Sequence, residues 1–151
     1  MNSRFGLGLV LAASLAFVSG AQAQGGKDPA TLNLSFVKFN VTDQPAMQAF
    51  YMKAFGLTVQ KTIDNPQLTE IILTNPKGLD LALVHYKDGR KITLGNAEGP
   101  IGFYLQDVDA AYKSAVAAGA VSRAAPRSIP SARVATVVDP EGHEIELLHL
   151  S

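Results

Sequence analysis

The chain contains one sequence pattern twice, and this repeat limits its possible folds more than any other feature. Residues 139–149 read Asp-Pro-Glu-Gly-His-Glu-Ile-Glu-Leu-Leu-His, and residues 75–85 read Asn-Pro-Lys-Gly-Leu-Asp-Leu-Ala-Leu-Val-His. The shared Pro, Gly, acidic residue and final His recur at an offset of 64 residues, the distance from Asn75 to Asp139. Residues 39–43 and 103–107 continue the match upstream. We therefore interpret the chain as a tandem duplication of one supersecondary unit.

Residues 1–23 do not belong to that unit. A short start ending at Arg4 is followed by an apolar run over residues 5–19 and then by Ala21-Gln22-Ala23, a small-x-small cleavage motif. This order predicts a secretory signal peptide, and the run is shorter than the roughly 20 apolar residues of a membrane span. We expect a periplasmic or secreted protein that begins at Gln24, with residues 24–33 as a flexible leader.

Charge and cysteine content exclude several classes of function. Loss of Arg4 with the signal peptide leaves 12 basic against 13 acidic residues, a net charge of −1. This balance gives no electrostatic reason to expect nucleic acid or an anionic membrane surface as a partner. The chain has no cysteine, so thiol catalysis, zinc–thiolate sites and iron–sulfur clusters are excluded.

The first copy is predicted to span residues 34–86 with the order β-α-β-β-β. Residues 35–41 alternate as a strand that places Val37, Phe39 and Val41 on one face. Asp43 is a candidate N-cap for a helix with one apolar stripe, and Gly56 is predicted to end that helix. Further strands are predicted at 57–63, 68–74 and 79–86, separated by turn residues.

The second copy is predicted to span residues 100–150 after a polar linker that carries Lys87, Arg90 and Lys91. The linker is interpreted as a solvated connection, with anion binding as the alternative. A strand at 101–105, a helix between Asp107 and Gly119, and strands at 133–138 and 143–150 repeat the order of the first copy. Residues 120–125 carry a weak strand pattern, and residues 126–130 are predicted to be a loop.

These two copies, with Phe50-Tyr51 in the first helix and the Asp-Pro-x-Gly-x-x-x-Glu run at 139–146, resemble the vicinal-oxygen-chelate superfamily. That group contains lactoylglutathione lyases, extradiol dioxygenases, fosfomycin-resistance transferases and bleomycin-binding proteins. The resemblance covers residues 34–150 and implies an α+β fold, in which two curved mixed sheets form a cup with the helices on the outside. It does not identify the reaction, because this fold hosts many chemistries.

The resemblance also implies where a metal would be held. The family's ligands come from the first and last strand of each copy, which here are Phe36, Ala82, Pro100 and Glu146. Phe, Ala and Pro have no side-chain donor, whereas a catalytic zinc normally keeps three protein ligands. We therefore expect no metal or other cofactor.

Glu146 is the candidate catalytic residue, as a general base or as the anchor for a cationic or hydroxylated ligand. The structural alternative is a carboxylate satisfied by Tyr104 or Lys38, because a buried carboxylate needs a partner. His85, His143 and His149 lie by strand parity on the opposite face or at strand ends, so a shared metal site is not predicted. The candidate ligand-binding residues of the cup are Phe36, Lys38, Asn40, Ala82, Val84, Gly102, Tyr104, Glu146 and Leu148.

Three functions fit these observations. The first is a binding protein that holds a small organic molecule in the cup without metal. The second is a lyase, isomerase or dioxygenase-like enzyme that uses Glu146 or an unusual metal geometry. The third is a structural or partner-binding domain whose cup is filled by Phe36 and Tyr104. A homodimer is expected, since closed two-fold symmetry is the commonest assembly of small soluble chains.

Overall fold

The computed structural model describes residues 35–76 and 78–151. The predicted signal peptide and leader lie outside these residues. Ten elements follow in the order β-α-β-β-β twice. They are β1 (Phe36–Asn40), α1 (Gln44–Phe55), β2 (Thr58–Asp64), β3 (Leu68–Thr74), β4 (Asp80–Tyr86), β5 (Ile101–Tyr104), α2 (Val108–Ala118), β6 (Val121–Ile129), β7 (Ala132–Val138) and β8 (Glu144–Leu150).

The strands form two four-stranded mixed sheets of identical topology, with orders β1-β4-β3-β2 and β5-β8-β7-β6. In each sheet the first strand of the copy pairs in parallel with the last, and the other neighbours are antiparallel. The helices lie outside the sheets. The predicted α+β fold with a tandem repeat is therefore confirmed. Neither described helix is long and apolar enough to cross a membrane.

Both helices begin and end at the predicted residues. The Asp43 side chain accepts a hydrogen bond of 3.0 Å from the Ala46 backbone N–H at the start of α1, and Asp107 does the same at the start of α2. Gly56 ends α1 with a φ of 67°, a left-handed conformation that favours glycine because any Cβ would be strained there. The repeat therefore preserves the signals that start and stop each helix.

The hydrophobic core lies between the helices and one face of each sheet. It contains Tyr51 and Leu83 from the first copy and Ile145 and Leu147 from the second, all of them buried. Val37 and Phe39 pack against it, whereas Phe36, Lys38 and Asn40 of the same strand are exposed. This is the alternation predicted for β1. We call the sheet faces opposite the helices the inner faces.

The second strand of the second copy corrects one prediction. Residues 126–130 were expected to be a loop, but β6 continues to Ile129 and pairs with β7 through two register shifts. The second of these register shifts falls between Ala124 and Arg127, and Pro126 lies within it. Because β6 is at the edge of its sheet and is irregular there, a residue without a backbone N–H does not break the ladder. A proline was therefore too strong a reason to exclude a strand.

The turn of residues 139–143 fastens the second copy to the first. Tyr51 donates a hydrogen bond of 2.8 Å from its hydroxyl to Asp139 Oδ2. The Glu141 carboxylate accepts hydrogen bonds from the backbone N–H groups of Thr42 and Asp43, which precede α1. A carboxylate at a helix N-terminus also complements the helix dipole. The most specific part of the repeated sequence pattern thus joins the two copies.

Ring contacts complete this junction. The imidazole of His143 stacks on Phe39 with centroids 4.0 Å apart and an interplanar angle of 6°. Phe55 of α1 stacks on Phe103 of β5 at 4.4 Å. One ring of each pair comes from each copy, so both ends of the junction are held by aromatic contact.

Candidate functional site

The inner face of the first sheet combines an exposed aromatic ring with a half-buried ion pair. Phe36 is 53% exposed. The Lys38 ammonium lies 2.7 Å from Glu70 Oε1 and 5.5 Å from the Phe36 ring centroid. Ala82 and Val84 are buried residues of β4, the strand that lies between β1 and β3. Of the predicted residues here, Phe36, Lys38 and Asn40 reach solvent and the two aliphatic residues form the floor.

Glu70 is the residue of this face that sequence reasoning missed. Its side chain is only 12% exposed, and it lies opposite Val84 in the register of β3 and β4. The signal was a single charged residue in the middle of an apolar strand. Such a residue needs a charged or hydrogen-bonding partner when it is buried, and Lys38 is that partner.

The inner face of the second sheet carries the candidate catalytic residue. Glu146 is half-buried and lies opposite Gly102 in the parallel register of β5 and β8. Ile145 and Leu147 on either side of it are buried in the core, so its predicted orientation away from the helices is correct. Leu148 is half-buried on the same face.

Glu146 is not held by either of the partners considered from the sequence. Lys38 binds Glu70 instead, and Tyr104 is 76% exposed. Within residues 35–76 and 78–151, no hydrogen bond or ion pair to the Glu146 side chain is present. Its carboxylate therefore makes no polar contact with the described part of the chain.

The positions implied as metal ligands do not fit a metal. Phe36, Ala82 and Pro100 offer no side-chain donor, and Glu146 alone supplies oxygen. No group of three or more His, Asp or Glu side chains in the described part of the chain is arranged to hold an ion. A hard or borderline divalent metal requires more protein donors than one carboxylate.

The three histidines have separate structural partners. His85 Nδ1 lies 3.3 Å from the Val41 carbonyl oxygen and His149 Nδ1 lies 2.8 Å from that of Leu105. His143 is buried, with Nδ1 2.9 Å from Asp139 Oδ2. Each ring is thus tied to its own loop or strand end.

Asp139 is the centre of a buried hydrogen-bond cluster. Besides Tyr51 and His143, it accepts hydrogen bonds from the backbone N–H groups of Glu141 and His143. Burial acts to raise the pKa of Asp139, but the hydrogen bonds and charge of His143 and the hydrogen bond of Tyr51 outweigh it, so the pKa is below its usual value. These groups are used to hold the turn.

Two clefts lie at the junction between the copies, at equivalent places in the repeat. One has a volume of about 440 Å³ and is lined by Phe39, His143, Arg123 and linker residues that include Leu94 and Gly99. Arg123 pairs with Glu144 at 2.9 Å at this cleft. The other has a volume of about 470 Å³ and is lined by residues of β5 and of the turn before β4. We call the second one the β5 cleft.

Two of the linker cations are neutralised. Lys87 lies 2.6 Å from Asp64 Oδ1, and Arg90 pairs with Asp88 while its guanidinium stacks on the Tyr86 ring at 3.8 Å. These contacts are exposed and each stabilises the fold by little. They favour the interpretation of the linker as a connection over that of an anion site.

Several solved structures share the fold of this chain. Glyoxalase I from Zea mays matches with a TM-score of 0.70 and 20% identity over 77% of this chain, which spans only 44% of the maize protein. The trypanothione-dependent glyoxalase I of Leishmania major matches with a TM-score of 0.68 and 23% identity, covering 79% of this chain and 87% of that one. A glyoxylase/bleomycin resistance protein/dioxygenase domain from Frankia sp. EAN1pec matches with a TM-score of 0.69 and 15% identity, covering 80% and 98%.

At these identities the structures establish the fold and not the activity. A comparison with curated proteins found no match. The family model of the glyoxalase/bleomycin resistance protein/dioxygenase superfamily matches residues 33–147, which include the first repeat and all but the last three residues of the second. This chain therefore belongs to the glyoxalase/bleomycin resistance protein/dioxygenase superfamily.

Proposed function

We propose that this protein binds a small organic molecule on its inner faces without a bound metal. The observation that carries the proposal is the replacement of donors at Phe36, Ala82 and Pro100 while the fold around them is kept. Ligand sites are commonly apolar walls with a few polar groups.

The exposed rings support the same proposal. Phe36 is 53% exposed on the first inner face and Tyr104 is 76% exposed on the second. Rings of this size gain free energy when a ligand covers them, at about 25 cal/mol per Å² of apolar surface. The Lys38–Glu70 pair and the Glu146 carboxylate supply polar groups that would orient the ligand.

A thermal-shift screen of the protein from Gln24 onward tests the proposal, because any molecule that binds the native state raises the melting temperature. The screen should include small-molecule libraries and divalent metals separately. A hit should lose affinity in Phe36→Ala and Tyr104→Ala and keep it in Val116→Ala, which removes an exposed apolar side chain of helix α2, outside the inner faces. Stabilisation by metals alone would reject the proposal.

A second candidate is proton transfer by Glu146, in a lyase or isomerase reaction. It is favoured by the absence of a partner for this carboxylate in the described residues, since a general base must be free to reach the substrate proton. With a hit from the screen in hand, Glu146→Gln should abolish turnover and leave binding largely intact. If a ligand binds but is never converted, the second candidate is rejected and the binding function is kept.

We also propose that the protein is exported and forms a homodimer. Export is supported by the signal-peptide pattern of residues 1–23, and sequencing of the purified protein should return Gln24 as its first residue. The dimer is supported by the open inner faces, which a second copy would help to enclose. Light scattering that gives the mass of one chain would reject the dimer.

A further inference from the structure

The β5 cleft has an apolar floor and walls built by both copies. Leu57 and Leu81 are buried core residues of the first copy and reach the cleft from below. Val37 adds to this side, and Ile101 and Phe103 of β5 form the other. A volume of about 470 Å³ falls in the range of small-molecule sites.

The equivalent cleft on the other side of the junction differs in chemistry. There the ring of His143 packs on Phe39, and Arg123 pairs with Glu144 beside it. At the position equivalent to His143 the first copy has Leu79, which is 43% exposed at the rim of the β5 cleft. The β5 cleft therefore offers apolar surface where its counterpart offers a ring and an ion pair.

The polar end of the β5 cleft is acidic. Asp80 lines the cleft, and Gly102, another lining residue, lies opposite Glu146 on the neighbouring strand, about 4.8 Å away as for paired strands. Neither carboxylate has a side-chain hydrogen bond or ion pair among residues 35–76 and 78–151. No Lys, Arg or His of those residues lines the cleft.

We propose that the β5 cleft binds a hydrophobic organic cation. The apolar ring or chain of the ligand enters between Leu79 and Phe103, and its ammonium group lies over Gly102 near the carboxylates of Asp80 and Glu146. Two carboxylates that have no partner in the described part of the chain, beside a low-dielectric wall, attract a positive charge more strongly than they would in water. The inference rests on the proposed function, a small organic ligand bound without metal, and gives that ligand a chemical class and a site at the junction that the inner-face residues Gly102 and Tyr104 also line.

Three probes of one shape test the charge: 2-naphthylmethylammonium, 2-naphthylmethanol and 2-naphthylacetate, titrated calorimetrically into the protein from Gln24 onward. The cation should bind about tenfold or more tighter than the alcohol, with the anion weakest. Its advantage should shrink as salt is added. Equal affinities for the three probes would overturn the proposal.

Gly102→Leu tests the place. An added Cβ at Gly102 meets nothing within 4 Å, so the larger side chain should fold normally and block the ligand. Affinity for the cation should fall about tenfold, and Leu79→Ala at the rim should also weaken binding. Leu94→Ala, at the other cleft, is the matched control and should change nothing. Cation binding that survives Gly102→Leu in a folded variant would place the ligand elsewhere and reject the proposal.

Asp80→Asn and Glu146→Gln test the polar end of the cleft. Each substitution should weaken binding of the cation and leave the affinity for the alcohol unchanged. Failure of this inference is distinguishable from failure of the proposed function. If the naphthyl cation does not bind but a screened molecule binds and depends on Phe36, which does not line the β5 cleft, the β5 cleft is rejected and the inner-face proposal stands. If no molecule of either kind binds, both are rejected.

Discussion

The hydroxyl of Tyr51 and the carboxylate of Asp139 are joined by a buried hydrogen bond of 2.8 Å across 88 residues of sequence. Tyr51 belongs to the helix of the first copy and Asp139 to the last turn of the second. Both residues are buried, so solvent water does not compete for this hydrogen bond. The copies are therefore held together by a specific polar contact inside the core as well as by apolar burial.

Removal of that contact should weaken the fold. We expect Tyr51→Phe to lower the free energy of unfolding by about 1–2 kcal/mol, because it deprives a buried carboxylate oxygen of one of its donors. Tyr112→Phe removes an exposed hydrogen bond of 2.7 Å to Ser122 and should cost less than about 0.5 kcal/mol. Urea unfolding of both variants measures the difference, and equal losses would contradict the role given to Asp139.

Tyr51 should also make the protein sensitive to alkali. Burial, followed by the charge and hydrogen bond of Asp139, raises the pKa of Tyr51 far above its usual value. The folded pKa is therefore above the unfolded value, so stability is unaffected below about pH 10 and falls above it as the unfolded chain alone loses the proton. The fall is about 1.4 kcal/mol per pH unit for this residue. The stability difference between wild type and Tyr51→Phe should narrow between about pH 9 and pH 11, and a constant difference would be the contrary result.

Glu141 acts as a cap supplied by the second copy to the helix of the first. Its carboxylate oxygens lie 2.8 Å and 2.9 Å from the Thr42 backbone nitrogen and 2.6 Å from that of Asp43. Glu141→Gln keeps the shape and removes the charge, so we expect a loss of about 1 kcal/mol. Glu98→Gln, at an exposed linker residue, should change the melting temperature by less than about 1 °C. Scanning calorimetry of the two variants makes the comparison.

The Lys38–Glu70 pair should show coupling in a double-mutant cycle. Lys38→Met leaves a nearly buried carboxylate alone, and we expect a loss of about 1–2 kcal/mol, reduced from the fully buried case because Lys38 is partly exposed. Adding Glu70→Met should recover most of that loss, since an apolar pair needs no compensating charge. Additive losses in chemical denaturation would mean that the two residues do not depend on each other.

Elemental analysis of the purified protein should find less than about 0.1 equivalent of zinc, nickel, iron or manganese, since one carboxylate does not make a site. Phe36→His combined with Pro100→His adds two imidazoles at exposed positions and gives three donors with Glu146. Zinc should then raise the melting temperature of the variant. Ala82 is left unchanged because a carboxylate there would be buried. About one metal per wild-type chain, lost in Glu146→Gln, would refute the metal-free proposal.

The helices and most strands were predictable from the sequence because their signals are local. Asp43 and Gly56 mark the ends of α1 without reference to any other element. The strand through Pro126 was missed for the opposite reason. Whether a proline is tolerated depends on the strand being at a sheet edge, and strand order is a property of the whole fold.

The same distinction applies to the candidate site. The orientation of Glu146 followed from alternation along one strand, which is a local property. The partnership of Lys38 with Glu70 required the knowledge that β4 lies between β1 and β3. Predicting that Glu141 caps α1 requires the relative position of the two copies. The residue spacing within either copy does not reveal that position.

The capping of α1 by the turn at 139–143 also sets an order in time. Protein synthesis proceeds from the N-terminus, yet the acceptor for the Thr42 and Asp43 backbone N–H groups lies 99 and 98 residues later in the chain, respectively. Until residues 139–143 have been made, the first copy has only its own cap at Asp43 and lacks both the Glu141 carboxylate and the partner of Tyr51. Contacts between distant residues form slowly because a long loop must close first. The half that is made first is therefore the half that is completed last, and a chain released after Val138 should leave the backbone N–H groups of Thr42 and Asp43 open to hydrogen exchange.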